Sequence, residues 1–144
     1  VNRIVFQPLK GVSGSTTTTA QAEHLSFIQI KCVDGWNAEL ASAKAAGKTV
    51  MLDFSADWLG SCKEMEALTF ADSSVKKALE GVVLLQADVT PNDDKDTELY
   101  KHFGIIGPPS IMFFGTDGIE RKNYRVVGYK PADEFSQHVK RALN

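Results

Sequence analysis

Three short apolar runs separated by helical segments constrain the fold of this chain more than any other feature. The runs occupy residues 49–54, 82–87 and 110–114, and helical patterns lie between them at about 61–70 and 94–103. Strands that alternate with helices favour right-handed crossovers and a largely parallel sheet. Runs this apolar are typical of strands that are buried on both faces. The sequence therefore predicts an α/β fold with a central sheet between helices.

Further elements flank this unit on both sides. Residues 25–30 alternate as a strand, and Asp34 is predicted to cap a helix that follows it. A last strand at 123–128 forms a hairpin with the preceding strand, and a final helix begins near Pro131. The predicted order is β-α-β-α-β-α-β-β-α. The sheet is expected to be mixed and mainly parallel, with an antiparallel edge from the hairpin.

Domain organisation follows from a change in composition near residue 24. Residues 12–20 consist almost entirely of Gly, Ser and Thr, which predicts a flexible linker or tail over 1–23 and a single domain over 24–144. An apolar patch at 4–6 is open to two interpretations, the end of a membrane helix or a stray patch on a tail. The chain begins at Val1 without an apolar leader, which we interpret as a mature form or a piece of a longer protein.

Composition excludes several classes of function. The chain is 43% hydrophobic and 24% charged, with a formal net charge of −2, as in ordinary soluble domains. It has no clustered basic footprint, so no nucleic-acid partner is expected. Its two cysteines are too few for a disulfide scaffold, and its three histidines show no ligand spacing, so no metal is expected. Cys32 is predicted to be a partly buried lone thiol that is not bonded to Cys62.

The segment that carries chemistry is residues 53–63, which leaves a buried strand and enters a helix. A Cys-x-x-Cys redox motif occupies this place in a βαβ unit. Unpaired N–H groups and the helix dipole favour a thiolate at the first helical turn, and a second cysteine then attacks the mixed disulfide. This chain has Leu59 at the first motif position and Cys62 at the second.

Several blocks carry a specific resemblance to a known family. Ala-Asp-Trp-x-x-x-Cys-Lys at 56–63 resembles the active-site segment of thioredoxins. Blocks at 51–70, 83–90 and 101–107 resemble the C-terminal periplasmic domain of the DsbD family of bacterial thiol:disulfide interchange proteins. The similarity extends from about residue 24 to the C-terminus, and residues 1–23 match the linker that follows the last membrane helix in that family.

The resemblance implies a thioredoxin fold with an N-terminal strand and helix extension, and a protein-disulfide reductase activity. Such a domain receives electrons from the membrane-embedded domain of its own parent protein and passes them to the N-terminal periplasmic domain. The resemblance also implies a link to cytochrome c-type biogenesis. The implied location is the periplasmic side of the bacterial inner membrane. The domain is expected to be a soluble monomer with neither a metal nor an organic cofactor.

Leu59 departs from the family pattern at the nucleophilic cysteine. Leucine cannot form a thiolate, a mixed disulfide or a disulfide with Cys62, which matches the resolving thiol. We therefore expect this chain to be an inactive or trapped form. Two explanations are open: a variant made to disable the reaction, or a natural member that lost it. The intact neighbouring blocks favour the first.

By resemblance, Pro109 is expected to form a cis bond with Pro108 and to face the motif. The alternative is an ordinary loop with two prolines. Residues of the motif and of this loop are assigned to substrate binding, although a purely structural role for Trp58 is nearly as well supported. The assigned residues are Trp58, Gly60, Ser61, Pro108 and Pro109.

Two acidic residues complete the predicted site. Asp53 lies within an apolar strand, where an ionised carboxylate is unfavourable unless it is paired or protonated. Carboxyls near a motif cysteine raise the thiol pKa and can relay protons. By resemblance, Asp53 and Glu66 both match acidic residues near the active site. For Glu66, a solvated helix residue is the alternative.

A different class of function is also compatible with Leu59. A redox-silent thioredoxin-like module would retain a groove beside Pro109 and bind extended peptides by strand-like pairing. A third possibility, a cytochrome-maturation thioredoxin, is weaker because its characteristic insertions are absent from this sequence.

Overall fold

A five-stranded mixed sheet organises the protein in a computed structural model that describes residues 25–144. The strand order is β1-β3-β2-β4-β5, where β3 is parallel to both β1 and β2, and β4 is antiparallel to both β2 and β5. The predicted mixed α/β fold is thus confirmed. The strands are β1 (Ile28–Ile30), β2 (Val50–Ser55), β3 (Val83–Asp88), β4 (Ser110–Phe114) and β5 (Val126–Val127).

Within residues 25–144, four α-helices and two irregular helical turns connect the strands, and a fifth α-helix follows the last strand. The helices are α1 (Val33–Ala45), α2 (Gly60–Glu64), α3 (Ser73–Ala78), α4 (Asp94–Phe103) and α5 (Ala132–Leu143). A π-helical turn, Met65–Thr69, continues directly from α2, and a 3₁₀ turn, Lys122–Tyr124, precedes β5. Three predicted elements are therefore corrected. The helix at 61–70 divides into α2 and the π-helical turn, and the last strand shortens to two residues because it pairs only with the start of β4. The first strand, predicted over 25–30, shortens to Ile28–Ile30, the residues that pair with β3.

The beginning of α1 also differs from the prediction. Cys32, not Asp34, is the N-cap: its backbone is extended, and its sulfur accepts the Gly35 N–H at 3.5 Å. Asp34 already has a place in the first helical turn, because the helix starts at Val33. Its carboxylate there still interacts favourably with the helix dipole. Cys32 is half-buried and not disulfide-bonded, as predicted.

The sheet is buried on both faces, as the apolar runs indicate. Alternate residues of β2 point to opposite sides. Leu52 and Phe54 join the core with Trp36 and Phe103 under α1 and α4, whereas Met51 joins Phe135 in the second core. Asp53 shares the face of Met51. The fold thus places one carboxyl in the second core, next to the end of β2.

Neither a membrane span nor a metal cluster occurs in the described part. No helix within residues 25–144 is long and apolar enough to cross a bilayer. The same residues contain no group of three or more His, Cys, Asp or Glu side chains that could hold a metal ion. The predicted linker at 1–23, its apolar patch at 4–6 and His24 lie outside the described residues.

Candidate active site at the end of strand β2

The motif lies where β2 ends and α2 begins, as its sequence position predicts. Leu59 is the N-cap of α2, with an extended backbone and no side-chain hydrogen bond to the helix. The Cys62 N–H donates to the Leu59 carbonyl at 3.1 Å, which closes the first turn. Cys62 is only 4% exposed, whereas Leu59 is half-buried. The residue at position 59 is therefore the more accessible of the two motif positions.

The Cys62 thiol is held in its protonated form by its surroundings. Burial is the largest cause that raises its pKa. Hydrogen bonds with the Ala56 backbone and the Ser55 side chain act in the opposite direction, and the charges of Asp53 and Glu66 raise the pKa further. A thiol in this environment is inert until a base removes its proton, as expected for a resolving cysteine.

Asp53 is a buried carboxyl whose pKa is raised to about 7. Burial is the main cause, the charge of Glu66 adds to it, and a hydrogen bond from the Gln86 side chain opposes it. That bond runs from Gln86 Nε2 to Asp53 Oδ2 at 3.0 Å. A carboxyl with this pKa can accept or release a proton at neutral pH.

Glu66 lies on the π-helical turn and is exposed, while its charge acts on both Asp53 and Cys62. Two contacts tie this turn to the loop before α5. Thr69 Oγ1 donates to the Lys130 carbonyl at 2.6 Å, and the Lys130 N–H donates to Met65 Sδ at 3.3 Å. π-helical turns are frequent at functional sites. Here the turn carries the second predicted carboxyl, whose charge acts on the first, whereas the π-helical geometry itself was not predicted from the sequence.

The Pro108–Pro109 peptide bond is cis, as predicted. Register pairs Phe54 with Ser110, so the start of β4 lies beside the end of β2, at the same sheet edge as the motif. The Pro109 carbonyl already accepts the Gly128 N–H at 3.0 Å. Since proline has no N–H, neither residue can donate to a peptide backbone. This loop offers less strand-like pairing than the sequence suggested.

Trp58 is 56% exposed and is held by the loop that follows β3. Its Nε1 donates to the Thr90 carbonyl at 3.0 Å, and the Asp57 N–H donates to Thr90 Oγ1 at 2.9 Å. Gly60 is exposed and Ser61 half-buried beside it. The ring therefore presents an apolar surface next to the motif in a fixed orientation. Thr90 holds the ring and the adjacent backbone in place, and the sequence did not predict this contact.

Tyr100 of α4 was also missed. Its ring packs near Phe54, with centroids 6.0 Å apart, and its hydroxyl is buried without a hydrogen-bond partner among the described residues. Its pKa is raised by burial first, and then by the charges of Asp96 and Cys62. No sequence signal distinguishes this tyrosine from an ordinary core aromatic residue.

A family model described as a thioredoxin-like domain matches residues 36–143. The chain belongs to the thioredoxin-like domain family. It is 31% identical to the DsbD C-terminal domain from Neisseria meningitidis in its oxidised form, which superposes with a TM-score of 0.69 over 80% of this chain and 99% of that chain. Thioredoxin NaTrxh from Nicotiana alata gives 26% identity and a TM-score of 0.65, over 91% of this chain and all of that chain.

Curated relatives include the thiol:disulfide interchange protein DsbD of Escherichia coli strain K12. The chain is 48% identical to it over 138 residues, which is 95% of this chain and 24% of the relative. The chain thus spans about a quarter of the length of such relatives. The recognised resemblance to the C-terminal domain of DsbD is confirmed, and it supports a thiol-disulfide oxidoreductase domain.

Proposed function

We propose that this domain belongs to a protein-disulfide reductase that works by dithiol-disulfide exchange, and that Leu59 disables the reaction in this chain. The observation that carries the proposal is the burial of Cys62 at the first turn of α2, with the raised-pKa carboxyl of Asp53 acting on it. A buried thiol beside a base suits the resolving step of such an exchange.

With cysteine at position 59, the reaction has two steps. The thiolate at 59 attacks a partner disulfide, forming a mixed disulfide and releasing one partner thiolate, which takes up a proton. Asp53 then accepts the proton of Cys62, whose sulfur attacks the sulfur at 59. A 59–62 disulfide forms, and the second partner thiol leaves, protonated from Asp53. Two electrons pass to the partner, and no metal or organic cofactor takes part.

The partners and the location are part of the same proposal. Since DsbD relatives are about four times longer than the matched segment, we propose that the domain is one part of a larger protein. A membrane-embedded domain would reduce the 59–62 disulfide, and an N-terminal periplasmic domain would receive the electrons. The site would then face the periplasm of a bacterium, next to the inner membrane.

Leu59→Cys tests the proposal. The variant is expected to reduce a protein disulfide with dithiothreitol as electron source at a rate at least about 100-fold above the parent chain, since covalent exchange becomes possible. Leu59→Ser is the matched control, because it changes size and polarity without supplying a thiolate. Leu59→Cys with Cys62→Ser should accumulate a mixed disulfide, visible by mass spectrometry. A Leu59→Cys variant as inactive as Leu59→Ser would contradict the proposal.

A second candidate, the redox-silent binding module, is favoured by exposed apolar side chains. Trp58 is 56% exposed and Ile106 is 99% exposed, and both lie in loops near the motif edge of the sheet. Such a module would bind an oxidised partner domain equally well with leucine or with cysteine at position 59. Titration calorimetry with an oxidised partner domain compares the parent chain with Leu59→Cys. Equal binding by the two proteins, together with no reductase activity in Leu59→Cys, would favour the binding module.

A further inference from the structure

Three polar side chains form a row across β1, β3 and β2, and two of them line a cleft together with Glu66 of the π-helical turn. Register pairs Gln29 with Gln86, and Gln86 with Asp53, so all three lie side by side on one sheet face. Gln29 Nε2 donates to Gln86 Oε1 at 2.8 Å, and Gln86 Nε2 donates to Asp53 Oδ2 at 3.0 Å. The row runs from an exposed edge strand to a buried carboxyl.

The direction of these bonds matters because a glutamine amide has two different ends. Its carbonyl oxygen only accepts hydrogen bonds, and its NH₂ group only donates them. While the Gln29 NH₂ occupies the Gln86 oxygen, the Gln86 NH₂ group is left to face Asp53. A reversed amide would instead place an oxygen against the carboxyl, which favours the protonated acid.

A solvent-facing cleft of about 260 Å³ lies above this row. Gln86 lines the cleft, whereas its hydrogen-bond partner Asp53 is buried and does not. The cleft is lined by Leu25, Phe27, Gln29, Glu66, Phe70 and Gln86.

We infer that Gln29 is a positioning residue for Asp53: its amide fixes the Gln86 amide in the orientation that donates to the carboxylate. The inference rests on the proposed function, in which Asp53 accepts the Cys62 proton. A donor held against Asp53 stabilises its ionised form and keeps it available as a base near neutral pH. Without Gln29, the Gln86 amide is free to turn, and a smaller fraction of Asp53 is ionised and able to accept a proton at neutral pH.

The charged and titratable groups around Asp53 define what else could change its titration. Among the described residues, α2 contributes Cys62 and the π-helical turn contributes Glu66, and both couple to Asp53. The neighbouring strands contribute uncharged partners, Gln86 on β3 and Ile111 on β4. A neutral substitution at Gln29 leaves all these charges in place, so it tests amide orientation separately from electrostatic interaction.

The test is the titration midpoint of the Asp53 carboxyl, followed by ¹³C NMR in the Leu59 chain and assigned with Asp53→Asn. Gln29→Met, which keeps the size but removes the donor, should raise the midpoint by about 1 pH unit. Gln29→Lys retains a donor for Gln86 Oε1 and adds a positive charge that favours the carboxylate, so it should leave the midpoint unchanged or lower it. Ile28→Met is the control for the edge strand, because Ile28 is exposed on the opposite face.

A Gln29→Met midpoint equal to that of the parent chain would overturn the inference. So would an equal rise in Gln29→Lys or Ile28→Met, which would indicate a general effect on β1. Gln29→Ala gives the same comparison if the methionine variant does not fold. Because the titration requires no turnover, its result is independent of the Leu59→Cys activity assay, and failure of one can be told from failure of the other.

Discussion

The buried carboxyl of Asp53 leads to a quantitative prediction about pH and stability. Its pKa is about 7 in the folded protein, against 3.8 for an unperturbed aspartate. Between these values the folded protein keeps a proton that the unfolded chain has released. Stability therefore decreases as the pH rises from about 4 to about 7, and the loss is complete above the folded pKa.

Asp53→Asn removes this dependence. The two pKa values differ by about three pH units, and at about 1.4 kcal/mol per unit the ionised carboxyl destabilises the fold by about 4 kcal/mol. Asparagine has nearly the same shape, carries no charge, and can still accept the Gln86 hydrogen bond. The variant and the parent should have similar stability near pH 4, and the variant should be more stable by up to about 4 kcal/mol near pH 8.

Urea unfolding across this pH range, followed by circular dichroism and tryptophan fluorescence, measures the difference directly. Coincident transitions and an unchanged denaturant slope establish that a two-state free energy is meaningful. Asp57→Asn is the matched control, because it removes an exposed carboxyl beside the same motif. A stability difference between Asp53→Asn and the parent that does not change with pH would refute the reasoning.

Two further predictions concern groups around α4. Tyr100→Phe should increase the free energy of unfolding by about 1 kcal/mol, because it removes a buried hydroxyl that has no partner among the described residues. Urea unfolding at neutral pH measures this change, and a decrease in the free energy of unfolding would contradict the prediction. Lys31→Met should decrease the free energy of unfolding by about 2 kcal/mol, because the buried Asp96 loses its ion pair. Asp96 is 1% exposed, and its Oδ1 lies 2.8 Å from Lys31 Nζ. Asp96→Asn should recover part of that loss in the double variant, and no recovery would argue against an unpaired charge as the cause.

Elements set by local signals were predictable from the sequence. Helix α4 has the predicted bounds, because an aspartate capping box begins it and Gly104, with φ of 67°, ends it. β4 also has the predicted bounds, because its five residues are uniformly apolar apart from Ser110 and follow two prolines. The motif at the end of β2 was located for the same reason, since strand, turn and helix succeed one another within a few residues.

Features set by tertiary contacts were not predictable in this way. The π-helical turn depends on hydrogen bonds from Thr69 and to Met65 that involve Lys130, more than 60 residues away. The Gln29–Gln86–Asp53 row depends on the register of three strands. Cys32 was predicted as a lone thiol, and its capping role depends on where α1 begins. Sequence periodicity carries none of this information, because each case requires the exact placement of segments relative to one another.

The stability cost of Asp53 also bears on the role proposed for this carboxyl beside Cys62. A carboxyl that destabilises the fold by about 4 kcal/mol at neutral pH offsets a large part of the stability of an ordinary domain. Burial raises the pKa of Cys62 most, and the charges of Asp53 on β2 and Glu66 on the π-helical turn raise it further. On the proposed function, the groups of the resolving step are present in a chain that has leucine at the nucleophile position. An asparagine at position 53 would relieve the instability with one substitution. The role proposed for Asp53, a proton acceptor beside Cys62, gives a physical reason for a carboxyl at this position despite its cost to stability.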